Sequence, residues 1–260
     1  MKKYVIATCF ALLALTITQA QEFKLAKTTG KLVINLSSVK VEGYNGNEII
    51  FSSAKSEREE DERAKGLRPI NGSGVVDNTG LGINVTDKGA TVEVNQVSQR
   101  DGQVKIKVPK GISVSYVFNK VMNAGKAIFT NLESELEISV QHNPIELENV
   151  TGPVTAKAVY GSIDAKFKEN MKGPISLISI YGHVDVAIPT STKANLKMST
   201  SYGEIFASSD LKIELEKTDN GSDMDMISYR ANNLRGKLNG GGTDFTLRSD
   251  YSKIYLRKTN

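Results

Sequence analysis

Residues 154–188 read VTAKAVYGSIDAKFKENMKGPISLISIYGHVDVAI, and how this stretch is parsed decides the fold. It holds two Tyr-Gly pairs, Tyr160-Gly161 and Tyr181-Gly182, each separated by one residue from an aliphatic side chain, Ile163 or Val184. A third pair, Tyr202-Gly203, leads to Ile205 at the same interval. A period of about 21 residues in a β-rich chain marks one coil of a solenoid per repeat.

Aligning on the glycine extends the repeat upstream, since Asn143 and then Gly125 each lie one slightly shorter repeat further back, about 18 residues at a time. The column Gly125, Asn143, Gly161, Gly182, Gly203 contains the residues that best tolerate positive φ, which predicts a left-handed turn in every coil. After the turn come Ile145-Glu146-Leu147, Ile163-Asp164-Ala165, Val184-Asp185-Val186 and Ile205-Phe206-Ala207. Before it come Leu136-Glu137-Ile138, Val154-Thr155-Ala156, Ile175-Ser176-Leu177 and Leu196-Lys197-Met198. Both columns alternate apolar with polar at the strand period, so one row faces a core and the other faces water. Gly102 to Pro109 and Phe245 to Ile254 repeat the same pattern and read as divergent terminal coils. The expectation is an all-β fold: a single-stranded right-handed parallel β-helix of about 18–21 residues per coil over residues 101–260. Residues 21–100 read as an irregular N-terminal β region, continuous with the helix or capping its open end. Within it, the charged stretch around residues 55–68 reads as a solvated loop.

The N-terminus predicts export. Lys2 and Lys3 precede an apolar stretch that ends at Thr18-Gln19-Ala20, the pattern of a signal peptide over residues 1–20. The stretch is too short for a transmembrane helix, and the mature chain is expected to have no transmembrane segment. The sole cysteine, Cys9, lies in this leader, so the mature chain would have no disulfide. Without Lys2 and Lys3 the 33 basic residues fall to 31, against 29 acidic ones, and they are dispersed. That balance argues against a nucleic-acid partner.

Two columns carry candidate chemistry. Glu146, Asp164 and Asp185 are equivalent outward positions on successive coils, spaced about 4.8 Å apart, and three stacked carboxylates could ligate Ca²⁺. They could also line the cleft of a carbohydrate-active enzyme, although no base is specified by spacing. The second column is Tyr160, Tyr181, Tyr202 and Tyr251, with His142 at the equivalent position. Immediately before a turn glycine, a ring can cover the coil below, so burial at a sealed corner is expected; exposed rings would instead be a platform for a glycan or a protein. His142 and His183 are spaced for neither a metal pair nor a catalytic triad. Gly240-Gly241-Gly242 lacks the Lys of a phosphate loop and reads as a tight corner.

The Gly-x-Ile/Val coils, the Gly-Pro elements at Gly152-Pro153 and Gly173-Pro174, Leu238-Asn239-Gly240-Gly241-Gly242 and Tyr251-Ser252-Lys253-Ile254-Tyr255-Leu256 together resemble the family of bacterial exported proteins named "putative adhesin". These are β-solenoid domains of unknown function, similar to the head regions of autotransporter adhesins. The resemblance covers roughly residues 30–258 and is clearest from Gly125 onward. It implies a non-enzymatic, monomeric protein of the periplasm, outer surface or medium, needing no cofactor and binding a glycan or envelope protein. The alternatives are a lyase or hydrolase on a β-helix scaffold, and a structural or sensory envelope component.

Overall fold

The computed structural model describes residues 21–53, 62–67, 69–98, 103–122, 124–216 and 232–259. The expected signal peptide and most of the charged loop lie outside these residues. Apart from one 3-10 turn at Glu62–Ala64, the regular elements described are strands.

The strands before residue 100 are β1 (Glu22–Ala26), β2 (Gly30–Asn35), β3 (Val39–Tyr44), β4 (Glu48–Ser53), β5 (Ile83–Asp87) and β6 (Thr91–Gln96). The repeat region supplies β7 (Val104–Pro109), β8 (Ile112–Phe118), β9 (Ala127–Thr130), β10 (Leu136–Val140), β11 (Ile145–Glu148), β12 (Val154–Ala158), β13 (Ile163–Lys166), β14 (Ile175–Ser179) and β15 (Val184–Ile188). The last six are β16 (Ala194–Thr200), β17 (Ile205–Ala207), β18 (Ile213–Leu215), β19 (Asn232–Leu238), β20 (Thr243–Ser249) and β21 (Ile254–Lys258).

Each coil gives one strand to each of two sheets. Equivalent positions pair in register: Ile145, Ile163 and Val184 in one sheet, and Leu136, Val154 and Ile175 in the other. Burial alternates residue by residue, for example buried, exposed, buried along β12 and β13. The inward rows meet as a continuous aliphatic core with aromatic fillers, Tyr116 against Phe129 at 5.7 Å and Phe167 against Phe245 at 6.0 Å. Burying alternate residues along a ladder satisfies the backbone and removes apolar surface at the same time, at about 25 cal/mol per Å².

Chain order and spatial order differ. One sheet runs β1-β4-β7-β3-β9-β11-β13-β15-β21-β17, and the other runs β18-β19-β16-β20-β14-β12-β10-β8-β2-β6-β5. The coil of β20 and β21, expected at the terminus, slots between the β14/β15 and β16/β17 coils. At the other end the β2/β3 coil slots between β6/β7 and β8/β9, so neither sheet breaks near residue 100. Antiparallel pairs flank these parallel rungs: β1 with β4, β4 with β7, β5 with β6, and β19 with both β16 and β18. The expected single parallel helix in chain order is therefore replaced by mixed sheets with interleaved ends.

The turn column also differs from expectation. None of Gly125, Asn143, Gly161, Gly182 and Gly203 has positive φ. Glycine is required at positions 161 and 182 because the coils touch: a Cβ at Gly161 would lie 2.0 Å from the Asn143 carbonyl oxygen, and one at Gly182 would lie 2.4 Å from that of Gly161. At the opposite corner of these coils, Asn131, Asn149 and Asn170 are left-handed, with φ of 56°, 54° and 72°.

Candidate functional site

The Tyr corner is built from the inside outward. Ser179, Ser249 and Thr200, each shortly before a turn, are buried beneath it. Ser179 Oγ donates to the Gly161 carbonyl at 2.8 Å and accepts from the Gly182 amide at 2.9 Å. Ser249 Oγ donates to the Gly182 carbonyl, and Thr200 Oγ1 accepts from the Gly203 amide. Earlier in the stack the buried Asn143 amide nitrogen lies 2.7 Å from the carbonyls of both Ser37 and Gly125. It also donates to the Tyr116 hydroxyl at 3.1 Å, while that hydroxyl donates to the Leu36 carbonyl at 2.8 Å. Burial pushes the Tyr116 phenol well above its ordinary pKa. These pairings satisfy the corner carbonyls and fix the backbone from which the outer rings project. The Ser/Thr column was visible in the sequence, at a fixed offset before the turn, but only its later members are polar; Val140 and Ala158 precede them.

Outside that backbone, five rings form one ladder: His142, Tyr160, Tyr181, Tyr251, Tyr202. Successive centroids are 4.7, 4.9, 4.9 and 5.0 Å apart, and successive planes are inclined by 7–13°. Tyr251 stands between Tyr181 and Tyr202 because its coil is interleaved there. The expectation of buried rings is overturned, since the four tyrosines are 48–60% exposed. The reason is geometric. The turn glycines pack against the backbone of the next coil, leaving no room for a ring over them, so each ring leans on the ring of the adjacent rung. Near-parallel rings at this separation are offset-stacked, an arrangement their quadrupoles favour. The phenol hydroxyls of Tyr160, Tyr181, Tyr202 and Tyr251 have no hydrogen-bond partner among the described residues.

On the neighbouring sheet face, Glu146, Asp164 and Asp185 form the predicted column, and Tyr255 and Phe206 continue it. The carboxylates do not converge on a metal. Glu146 pairs with Lys126, and Asp164 lies 3.0 Å from His183 Nε2. Asp185 accepts from Arg257 Nε at 2.8 Å, which raises the Arg257 pKa further. Among the described residues no three metal-ligating side chains are grouped to hold an ion. Side chains on one sheet face point away from the sheet in parallel, so each carboxylate finds a lateral partner rather than a shared centre. The column ends in rings: Phe206 stacks on Tyr255 at 5.5 Å, Arg257 lies 4.9 Å over Tyr255, and Lys253 lies 5.5 Å over Phe206. Beyond the ladder, Arg248 makes a two-point bond to Asp250.

Two shallow depressions lie on the surface. One depression of about 280 Å³ is lined by Glu169, Ser191 and Lys193 among others, and one of about 480 Å³ by Tyr44, Asn47 and Lys110. Neither gathers two carboxylates and a base. Gly240 and Gly241 have φ of 83° and 91° and form the turn between β19 and β20. No helix among the described residues is long and apolar enough to cross a membrane.

Residues 129–237, from within β9 to within β19, match the model of a domain family of unknown function described as Toastrack DUF4097. A solved structure from Clostridium sporogenes, named a "putative cell adhesion protein", is 11% identical with a TM-score of 0.44, the alignment covering 93% of this chain and 100% of that one. A "putative adhesin" from Bacteroides fragilis is 9% identical with a TM-score of 0.33, covering 93% and 98%. No curated protein matches the sequence.

Proposed function

We propose that this chain is an exported, non-enzymatic, adhesin-like protein of the bacterial envelope, a right-handed β-solenoid in its parallel part, that binds a glycan or protein through its tyrosine ladder. The observation that carries the reading is the ladder itself. Large aromatic rings are normally covered in an unliganded domain, and a contiguous exposed row of them is the composition of a recognition surface. Amphipathic rings offer both contact area and hydrogen bonds at low entropic cost. Export is supported by the leader pattern of residues 1–20, and the envelope setting by the sequence resemblance described above. The non-enzymatic reading is supported by the lateral pairing of Glu146, Asp164 and Asp185, each with a neighbouring side chain.

The test uses residues 21–260 displayed against an array of glycans and bacterial envelope proteins, beside a Tyr160→Ala/Tyr181→Ala double variant. Binding that the double variant loses while its melting temperature is kept supports the proposal. Ligands retained equally by both proteins, or turnover of an array glycan that Asp185→Asn abolishes, would contradict it.

A further inference from the structure

The ladder has a repeat, and the repeat restricts what can lie along it. Five rings are spaced 4.7–5.0 Å apart in one row set by the rungs. An extended peptide presents same-face side chains every 6.4–6.8 Å or so, and a polyproline helix repeats at about 9 Å per turn, so neither stays in step with the rings. A pyranose chain joined through equatorial 1- and 4-positions advances by one six-membered ring of single bonds per sugar, about 5 Å with bonds of roughly 1.5 Å. That repeat keeps step with the ladder over all five rungs.

Area separates the remaining candidates. A half-exposed tyrosine offers on the order of 100 Å² of the 150–250 Å² that an aromatic side chain can bury. Four such rings and a histidine fall well short of the roughly 800 Å² per partner that a stable protein interface needs, but suffice for a chain one sugar wide. Chemistry agrees: the four phenol hydroxyls, without a hydrogen-bond partner among the described residues, can donate to and accept from sugar hydroxyls along the row. Close to the row in the chain, Lys157 precedes Tyr160, a further polar group for hydroxyl or carboxylate substituents.

From this match we infer that the ladder binds an extended β-1,4-linked polysaccharide lengthwise, one sugar per ring. The inference rests on the binding role proposed above and names its ligand class. The experiment is calorimetric titration of residues 21–260 with β-1,4-linked oligosaccharides of two to eight sugars, from glucose, N-acetylglucosamine and xylose series, beside an α-1,4-linked glucan series that coils. The expected result is affinity that rises with length in at least one β-linked series and levels off at about five sugars, with no such rise for the α-linked series. Tyr181→Ala, at the centre, should weaken the five-sugar ligand about tenfold, since it removes the central hydroxyl and ring from the row. Tyr181→Phe, which keeps the ring, should weaken it less than threefold, and circular dichroism of both variants controls for folding. Binding that depends on Tyr181 yet is independent of length, or that prefers the coiled series, overturns the one-sugar-per-ring inference and leaves the ladder as a binding surface. Tyr181-dependent capture of a protein with no binding in any sugar series does the same. Absence of any ligand sensitive to Tyr181, in this titration and on the array, removes both.

Discussion

Substituting Gly161 by alanine tests whether the corner is governed by contact or by backbone conformation. The added Cβ would lie 2.0 Å from the Asn143 carbonyl oxygen and 2.7 Å from its carbon, both backbone atoms that no rotamer change can move. Carbon and oxygen do not approach within 3.0 Å, so the two coils must part locally by at least about 1 Å out of a rung spacing of about 4.8 Å. The hydrogen bonds beside the contact, Tyr160 amide to Gln141 carbonyl at 2.6 Å and Ile145 amide to Ser162 carbonyl at 2.9 Å, would stretch beyond useful length. At roughly 1–3 kcal/mol for each bond left unmade, plus strain in the packing beneath, the cost is about 3–5 kcal/mol. Gly161→Asn should cost as much, although a left-handed position would tolerate it. Gly89→Ala, at φ 81° with nothing within 4 Å of the new Cβ, should cost only about 1–2 kcal/mol. Urea denaturation of the three variants measures all of this. A Gly161→Ala protein within about 0.5 kcal/mol of the parent, the range of an inconsequential surface change, would refute the argument. So would an Asn variant clearly better than the Ala one.

Other substitutions probe the remaining parts. Asn170→Gly should leave stability within about 0.5 kcal/mol, whereas Asn170→Val at its φ of 72° should lose about 1–2 kcal/mol in thermal denaturation. Tyr181→Ala should lower stability by about 1 kcal/mol or less, because the ring is half exposed; a loss of about 3 kcal/mol would restore the sealed-corner reading. Tyr116→Phe should cost about 1–3 kcal/mol through the hydroxyl's lost bonds to Leu36 and Asn143. Because burial raises the folded-state pKa of Tyr116, its contribution is complete below the ordinary value of 10.0 and declines as pH rises above it, so the Phe variant should show a flatter loss of stability at alkaline pH. Glu133, held below the usual carboxylate range by Lys110 and Lys172, should behave oppositely. Its stabilisation is present above the unfolded-state pKa and lost as acid titrates through the lower folded value, so Glu133→Gln should matter only above about pH 4 and less in high salt.

Much of the fold is written in the chain because strands on a common core must alternate, and a coil must return to the same phase once per repeat. The inward columns of Ile163, Val184 and their equivalents follow from that rule alone. Neighbour relations do not. A repeat identifies a kind of rung and leaves its position in the stack open, so Phe245 to Ile254 was recognisable as a coil while its place between β14/β15 and β16/β17 depended on which pairing best covers the edges. Glycine is ambiguous for a similar reason, since the residue that permits positive φ is also the residue without a Cβ. Asn143 in the same column tipped the reading toward φ, although its role is to cap carbonyls with a buried amide. The left-handed asparagines, Asn131, Asn149 and Asn170, sit at the opposite corner. As for the tyrosines, sequence placed them on one corner in one column, but whether a ring folds over a turn or leans on its neighbour depends on how tightly the glycines below it pack.

The functional reading stands on one uninterrupted row of rings, and the row exists only if the β20/β21 coil separates Tyr181 from Tyr202. Cysteine pairs measure this directly, since the sole native cysteine, Cys9, lies outside residues 21–260. In residues 21–260 carrying Tyr181→Cys with Tyr251→Cys, the two positions are one rung apart, about 4.8 Å, within the Cα range that a disulfide spans. In Tyr181→Cys with Tyr202→Cys they are two rungs apart, roughly 10 Å, which is out of reach. Rapid, complete oxidation of the first pair with none in the second is the predicted result. Oxidation of the 181–202 pair in preference to the 181–251 pair would contradict the interleaved stack, and with it the five-ring ladder.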